Sequence, residues 1–256
     1  MNKYKFSPLI LIFAILSFIS IEKSQLLFIG SQLFLLIAIF INTKTLISAL
    51  ININIAFIPW SWYNILDVGF RFNIYTLSSL LLFLFLFLNI DFNQRYKNRI
   101  ILLTAFLFLL NFTSFVLSVL SSTLPSYTLR SFLSILPSFY PFLYFLSCFS
   151  KTDENKLILF EIGIIQPFIG ISVVVSMIMQ AFGFINFGNT FFRVGRYSLG
   201  SLFFDFTTLS SYFTLILLII TLIYSVSKYR TKSLLILNSV GVFSSLLGMI
   251  LSGSRA

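Results

Sequence analysis

Long apolar runs, separated by short polar breaks, constrain the fold of this chain more than any other feature of its sequence. A run of about 17 to 25 residues lets a helix cross a hydrocarbon core of roughly 30 Å. The runs lie at about residues 6–21, 25–41, 45–62, 74–90, 100–120, 132–149, 157–181, 202–227 and 234–252. Only 9% of the residues are charged, whereas a soluble domain has roughly one quarter. The sequence therefore predicts one all-α domain over residues 1–256, a polytopic transmembrane bundle of nine spans.

The distribution of lysine and arginine predicts the orientation of this bundle. With a cytoplasmic N-terminus, 11 of the 17 basic residues fall on the cytoplasmic side and 6 on the outer side, as the positive-inside bias requires. The outer set is Lys23, Arg71, Arg130, Arg193, Arg196 and Arg255. The excess of arginine in this set is important because a planar guanidinium donates two parallel hydrogen bonds, a geometry that suits phosphate. We therefore expect a multi-pass protein of the cytoplasmic membrane with arginines on its outer face.

The composition excludes several kinds of chemistry. Histidine is absent, which removes histidine acid–base catalysis, histidine metal ligands and Ser-His or Cys-His nucleophile pairs. The single cysteine, Cys148, cannot form an internal disulfide, and no phosphate-binding glycine loop is present. The net charge of +10 comes from basic residues that stand singly or in small groups between apolar runs, so we expect no nucleic-acid partner. We also expect no metal ion and no cofactor.

The stretch FFRVGRYSLGSLFFDF, residues 191–206, gathers two arginines and an aspartate between apolar runs. One interpretation is that Arg193 and Arg196 snorkel to lipid headgroups while Asp205 lies in the interface. The other is an anion-binding site at the outer membrane face. Guanidinium groups that converge in a low-dielectric mouth repel one another unless a strongly negative group binds between them. A diphosphate meets that condition, and Asp205 needs a partner such as one of the two arginines.

Another acidic residue, Glu161, lies about one turn into the seventh run. Lys151 or Lys156 is a candidate partner, and the alternatives are an interfacial position or a place in a proton relay. Two amides, Asn52 and Asn54, stand inside the third run and make its boundaries less certain than those of the other runs.

Several stretches occur in an order that resembles the O-antigen ligase and polymerase superfamily. They are FIPWSWYNILDVGFRFNIYTLSSLLLFLFL at 57–86, TLRSFLSILPSFYPFLYFL at 128–146, the arginine–glycine loop leading into the span with Asp205, and LLGMILSGSRA at 246–256. The resemblance covers roughly residues 55–256. It implies an architecture like that of lipid-dependent membrane glycosyltransferases.

The resemblance also implies a function and its residues. The family moves an oligosaccharide from a polyprenyl diphosphate carrier to an acceptor glycan, at the outer face of the cytoplasmic membrane. Arg193, Arg196 and Arg255 would hold the diphosphate, and Asp205 would orient an arginine or act as a base. Substrate contacts would come from Arg71, Arg130 and Ser254, the last in the Ser-Arg pair. The partners implied are the polyprenyl diphosphate-linked oligosaccharide, the acceptor glycan and membrane lipid.

Family chains usually continue past the Ser-Arg pair into a large outer loop and further spans. We therefore expect this sequence to be the N-terminal part of a longer protein, inactive alone if it ends at Ala256. Two other function classes remain open. A transporter or flippase of lipid-linked sugars predicts charges near the bilayer midplane and repeated halves, and a non-enzymatic membrane protein predicts replaceable outer arginines.

Overall fold

Helices dominate the part of the chain that the computed structural model describes. That part comprises residues 7–21, 23–61, 66–67, 71–88, 99–121, 152–185, 190–193, 196–199, 212–214, 216–217 and 232–251. Its helices are α1 (Ser7–Ser20), α2 (Gln25–Ile41), α3 (Leu46–Ala56), α4 (Ile74–Leu88), α5 (Arg99–Ser121), α6 (Thr152–Ala181) and α7 (Lys232–Leu251). A single 3-10 turn, Ile58–Trp60, follows α3. The prediction of an all-α fold is confirmed.

The helices coincide with the predicted apolar runs, but the count of nine membrane crossings stays a prediction. The run at 132–149 lies outside the described residues, and the run at 202–227 is described only at 212–214 and 216–217, both helical. Within the described chain, the segments Asn155–Ala181 and Leu234–Leu251 are long and apolar enough to cross a membrane. By length and composition, these two helices point to a membrane protein.

The third apolar run is broken rather than continuous. Helix α3 has 11 residues and ends at Ala56, with Phe57 as its C-cap. The 3-10 turn that follows contains Pro59, which has no backbone N–H and disfavours a helical conformation in the residue before it. The predicted span over 45–62 is therefore an α-helix of about three turns and a separate 3-10 turn.

Two short antiparallel hairpins interrupt the helices. Strands β1 (Leu66–Asp67) and β2 (Arg71–Phe72) pair before α4. Helix α4 then begins with a reciprocal cap, in which the Asn73 side chain accepts from the Thr76 N–H and the Asn73 N–H donates to the Thr76 hydroxyl. Strands β3 (Thr190–Arg193) and β4 (Arg196–Leu199) pair after α6. The loop at 182–201 thus contains a hairpin.

The chain divides into two compact units, Met1–Tyr63 with Lys156–Ala256 and Asn64–Asn155. In the first unit, α1 packs on the 3-10 turn through Phe18 and Trp60, whose ring centroids are 4.7 Å apart. Helix α7 packs on Phe213, because a Cβ added at Gly248 would lie 2.2 Å from its ring. Glycine at 248 therefore lets the helix approach that ring closely.

Several buried serine hydroxyl groups donate within their own helices. Ser17, Ser172 and Ser176 each donate to a backbone carbonyl three or four residues earlier. Ser244 and Ser245 both donate to the Gly241 carbonyl. Because each of these hydroxyls has an acceptor in its own helix, its donor is satisfied inside the core.

Candidate functional site

The two arginines of the stretch at 191–206 lie on one β-hairpin. The register pairs Thr190 with Leu199, Phe191 with Ser198, Phe192 with Tyr197, and Arg193 with Arg196. The last pair stands beside the two-residue connection at 194–195. Residues directly opposite each other in an antiparallel ladder belong to the same face of the ribbon. The backbone therefore brings Arg193 and Arg196 to one face at the tip of the hairpin.

The charge of this pair is unusual for a hairpin. Like charges directly opposite each other destabilise an antiparallel pair, by a few tenths to about 1 kcal/mol. Opposite charges or apolar residues would stabilise the same two positions. An anion bound beside the tip would turn this repulsion into attraction, because it offers both guanidinium groups a negative partner. A role for this pair in anion binding stays a prediction.

Arg71 has a different environment in its own hairpin. The register of β1 and β2 pairs Arg71 with Asp67 and Phe72 with Leu66. An acidic residue opposite an arginine is a stabilising cross-strand pair. Arg71 also belongs to the compact unit Asn64–Asn155, whereas the β3–β4 hairpin belongs to the other unit. The backbone thus gives Arg71 an acidic neighbour and gives Arg193 a second cation.

The other predicted site residues fall outside the described part of the chain. These are Arg130, Asp205, Ser254 and Arg255. Their predicted roles in substrate binding and leaving-group stabilisation stay predictions. Of the seven predicted site residues, the described backbone brings together Arg193 and Arg196.

The described chain contains a second polar cluster, built around the carboxylate of Glu161. This side chain on α6 is fully buried. It accepts a hydrogen bond from the Lys44 backbone N–H at 3.0 Å and a short one from the Ser48 hydroxyl. Thr45 caps α3 by accepting from the Ser48 N–H. A carboxylate beside the N-terminus of a helix is stabilised by the unpaired N–H groups and by the helix dipole.

The cluster continues along α3 as a buried polar seam, formed by Ser48, Asn52, Glu161 and Gln166. The Asn52 amide donates to the Ser48 carbonyl at 2.9 Å and to the Ser48 hydroxyl at 3.3 Å. The Gln166 amide donates to the Asn52 carbonyl at 3.2 Å. The side-chain oxygens of Asn52 and Gln166 are buried and accept no hydrogen bond. The seam therefore has two acceptor oxygens that a water or another donor would satisfy.

Sequence reasoning singled out Glu161 and Asn52 but did not connect them. Thr45, Ser48 and Asn52 are spaced three and four residues apart, so they lie on one face of α3. That spacing was a usable signal for a polar face inside an apolar run. The hydrogen bonds described above come from Lys44 and Ser48. The pairing of Glu161 with Lys151 or Lys156 stays a prediction, and Lys151 lies outside the described residues.

Comparison with protein-family models, with curated proteins and with solved structures finds no match. Function is therefore inferred from residues and geometry. Among the described residues, no three histidine, cysteine, aspartate or glutamate side chains gather where they could hold a metal ion.

Proposed function

We propose that this chain is a multi-pass protein of the cytoplasmic membrane with its N-terminus inside. Helix α5 supports this placement, because large apolar side chains are exposed along it, at Leu102, Leu103, Phe106, Leu107, Leu109, Leu110, Val116, Leu117 and Leu120. Its exposed amide, Asn111, donates to the Leu107 carbonyl at 2.8 Å, and Ser114 donates to the Leu110 carbonyl at 2.9 Å. A helix that is apolar outside and satisfies its own polar groups suits lipid better than water.

The function proposed for the outer face is transfer of an oligosaccharide from polyprenyl diphosphate to an acceptor glycan. One observation carries this proposal, the direct cross-strand pairing of Arg193 with Arg196. Each arginine carries a guanidinium group that is able to donate two parallel hydrogen bonds to phosphate oxygens. A diphosphate offers more of these oxygens, and more negative charge, than a single lipid phosphate.

The proposed reaction is a substitution at the anomeric carbon of the donor sugar. A hydroxyl oxygen of the acceptor glycan forms the new bond to that carbon, and the bond from the carbon to the diphosphate oxygen breaks. The electron pair leaves with polyprenyl diphosphate, and the hydroxyl proton goes to a base. Negative charge grows on the leaving group in the transition state, where Arg193 and Arg196 stabilise it. Removal of one such donor costs about 2.7 to 4 kcal/mol in comparable sites.

The residues outside the described ranges complete the proposal. Arg255 joins the two hairpin arginines on the diphosphate, while Ser254 and Arg130 contact the substrate. Asp205 orients an arginine, since a carboxylate paired with arginine is a weaker base than a free one. Arg71, which lies opposite Asp67 in the β1–β2 register, is also proposed to contact the substrate.

Substitution of arginine by lysine tests the proposal, because lysine keeps the charge and loses the fork. The assay measures release of polyprenyl diphosphate from a lipid-linked oligosaccharide in membranes that contain the protein. We expect Arg193→Lys or Arg196→Lys to lower the rate about 100-fold, as loss of an oxyanion donor does. Arg99→Lys, at the start of α5 on the predicted cytoplasmic side, is the control and should keep the full rate. Normal rates in both hairpin variants would refute the role of the pair.

A specific observation favours transport as the second candidate. The seam of Ser48, Asn52, Glu161 and Gln166 places a buried carboxylate and buried amides between α3 and α6. Buried ionisable residues in membrane helices often mark an ion or substrate path. The broken third run also resembles the discontinuous helices of transporters.

Glu161→Gln separates the two candidates. A transporter that couples to protons or cations through this carboxylate loses coupled uptake in proteoliposomes. A transferase that uses Glu161 only to hold α3 keeps its transfer rate in the same variant, provided that far-UV circular dichroism shows a normal helix content. Loss of transfer in folded Glu161→Gln would contradict the purely structural role.

A further inference from the structure

An apolar groove lies between α1 and α2 at the end where the two helices are joined. Its volume is about 350 Å³, at the lower end of the roughly 300 to 1,000 Å³ found for ligand pockets. The last turn of α1 contributes Leu16 and Ile19 to the lining, and the first turns of α2 contribute Leu26 and Leu27. The stacked rings of Phe13 and Phe34, with centroids 5.3 Å apart, lie at the far end.

Small residues create the space in this groove. Ser20 and Ser31 hold the two helices together through their hydroxyl groups, which are 3.3 Å apart. Gly30 lines the groove, and a Cβ added there would meet no atom within 4 Å. Gly30 has no side chain, so the groove stays open at a position where the side chain of most other residues would fill it. From Ser20 to Phe13 it extends roughly 10 Å along α1, at about 1.5 Å per residue.

Lys23 lines the other end of the groove, in the short connection between the helices. Its side chain is exposed. A lysine next to the ends of two apolar helices is typical of the level of the lipid headgroups in a membrane protein. A groove with apolar walls and one cation at its mouth matches a ligand with an apolar chain and an anionic head. The neighbouring Glu22 lies outside the described residues.

We propose that this groove binds one acyl chain of an anionic phospholipid, with the lipid phosphate against Lys23. The inference rests on the membrane placement proposed above and not on the transferase activity. A length of roughly 10 Å along α1 accommodates part of one hydrocarbon chain, and the apolar walls of the groove suit its methylene groups. The cation adds a preference for anionic over zwitterionic headgroups.

Lipid titration of the purified full chain in neutral detergent tests the assignment. Native mass spectrometry measures the apparent Kd for phosphatidylglycerol and for phosphatidylcholine with identical acyl chains, and glycerol phosphate serves as a headgroup without a chain. We expect one saturable phosphatidylglycerol site, weaker binding of phosphatidylcholine and no competition by glycerol phosphate. Equal Kd values for the two lipids, or competition by glycerol phosphate, would overturn the assignment.

Variants separate the roles of the groove and the cation. Lys23→Gln should weaken phosphatidylglycerol binding about fivefold, while Lys23→Arg and the control Lys44→Gln should not. Gly30→Leu should weaken both lipids about tenfold by filling the groove, and Gly30→Ala is the milder variant if Gly30→Leu does not fold. An unchanged Kd in folded Gly30→Leu contradicts the proposal. So does a loss of phosphatidylglycerol affinity in Lys44→Gln as large as that in Lys23→Gln. Tighter binding of polyprenyl phosphate than of phosphatidylglycerol would assign the groove to the carrier instead.

The result is independent of the arginine hairpin. Gly30→Leu should leave the release of polyprenyl diphosphate unchanged, because the groove and the β3–β4 strands are formed by different elements. Failure of the lipid assignment therefore leaves the transferase proposal standing, and the reverse also holds.

Discussion

Replacing Glu161 with alanine removes the acceptor that holds the N-terminus of α3. Two donors then lose their partner, the Lys44 N–H, which bonds at 3.0 Å, and the Ser48 hydroxyl. The Ser48 hydroxyl is buried, and a buried donor left unsatisfied costs about 1 to 3 kcal/mol. The hydrogen bond from Lys44 is only partly buried, so its loss adds less. Removal of a buried carboxylate returns part of this, because the folded chain no longer has to desolvate it. We expect Glu161→Ala to lower the free energy of unfolding by about 1 to 3 kcal/mol.

The measurement is unfolding of the protein in mixed micelles by sodium dodecyl sulfate, followed by far-UV circular dichroism. The double variant Glu161→Ala with Ser48→Ala, compared with the two single variants, isolates the side-chain contact from the rest of the cluster. Its coupling energy should be about 1 to 2 kcal/mol. Ser172→Ala is the control, since this buried hydroxyl on α6 bonds only within its helix, to the Ile169 carbonyl; we expect it to cost less than about 1 kcal/mol.

Two results would refute this reasoning. One is a loss in Glu161→Ala no larger than that in Ser172→Ala. The other is a pair of single variants whose effects add within about 0.5 kcal/mol, as those of distant sites do. Either outcome means that the carboxylate does not hold α3.

Further predictions concern packing and capping. Gly248→Ala should lower the free energy of unfolding by about 1 to 3 kcal/mol, because its Cβ would lie 2.2 Å from the Phe213 ring. Thermal unfolding measures this loss. Adding Phe213→Leu to the Gly248→Ala variant should restore part of it. Thr45→Ala should lower the free energy of unfolding by about 1 kcal/mol, because it removes the cap that accepts from the Ser48 N–H. Thr45→Ser should be nearly neutral in the same measurement. Equal losses of unfolding free energy in the two variants would rule out the capping role.

The positions of the helices follow from local sequence. Apolar runs bounded by polar breaks predicted α1, α2, α4 and α7 to within a few residues of their ends. Pro59 was a further local signal, because the residue before proline is unfavourable in a helix. Pro59 therefore predicts where α3 ends, whereas the length of the apolar run does not.

Contacts between distant residues could not be predicted in the same way. The bond from Lys44 to Glu161 depends on which helices pack together, and no local pattern in either segment specifies the other. The hairpin at 190–199 is an intermediate case. Its two strands are close in sequence, but no apolar pattern in that stretch specifies a strand register. Arg193 and Arg196 were therefore predicted as site residues before their pairing was known.

The hydrogen bond between Lys44 and Glu161 has a consequence for biogenesis. Its donor and acceptor are 117 residues apart, so at about 5 to 20 residues per second the ribosome makes Lys44 roughly 6 to 23 seconds before Glu161. During that interval the nascent α3 carries its buried amides without the neighbour that will cover them. The N-terminus of α3 therefore acquires this hydrogen bond only after α6 has been made.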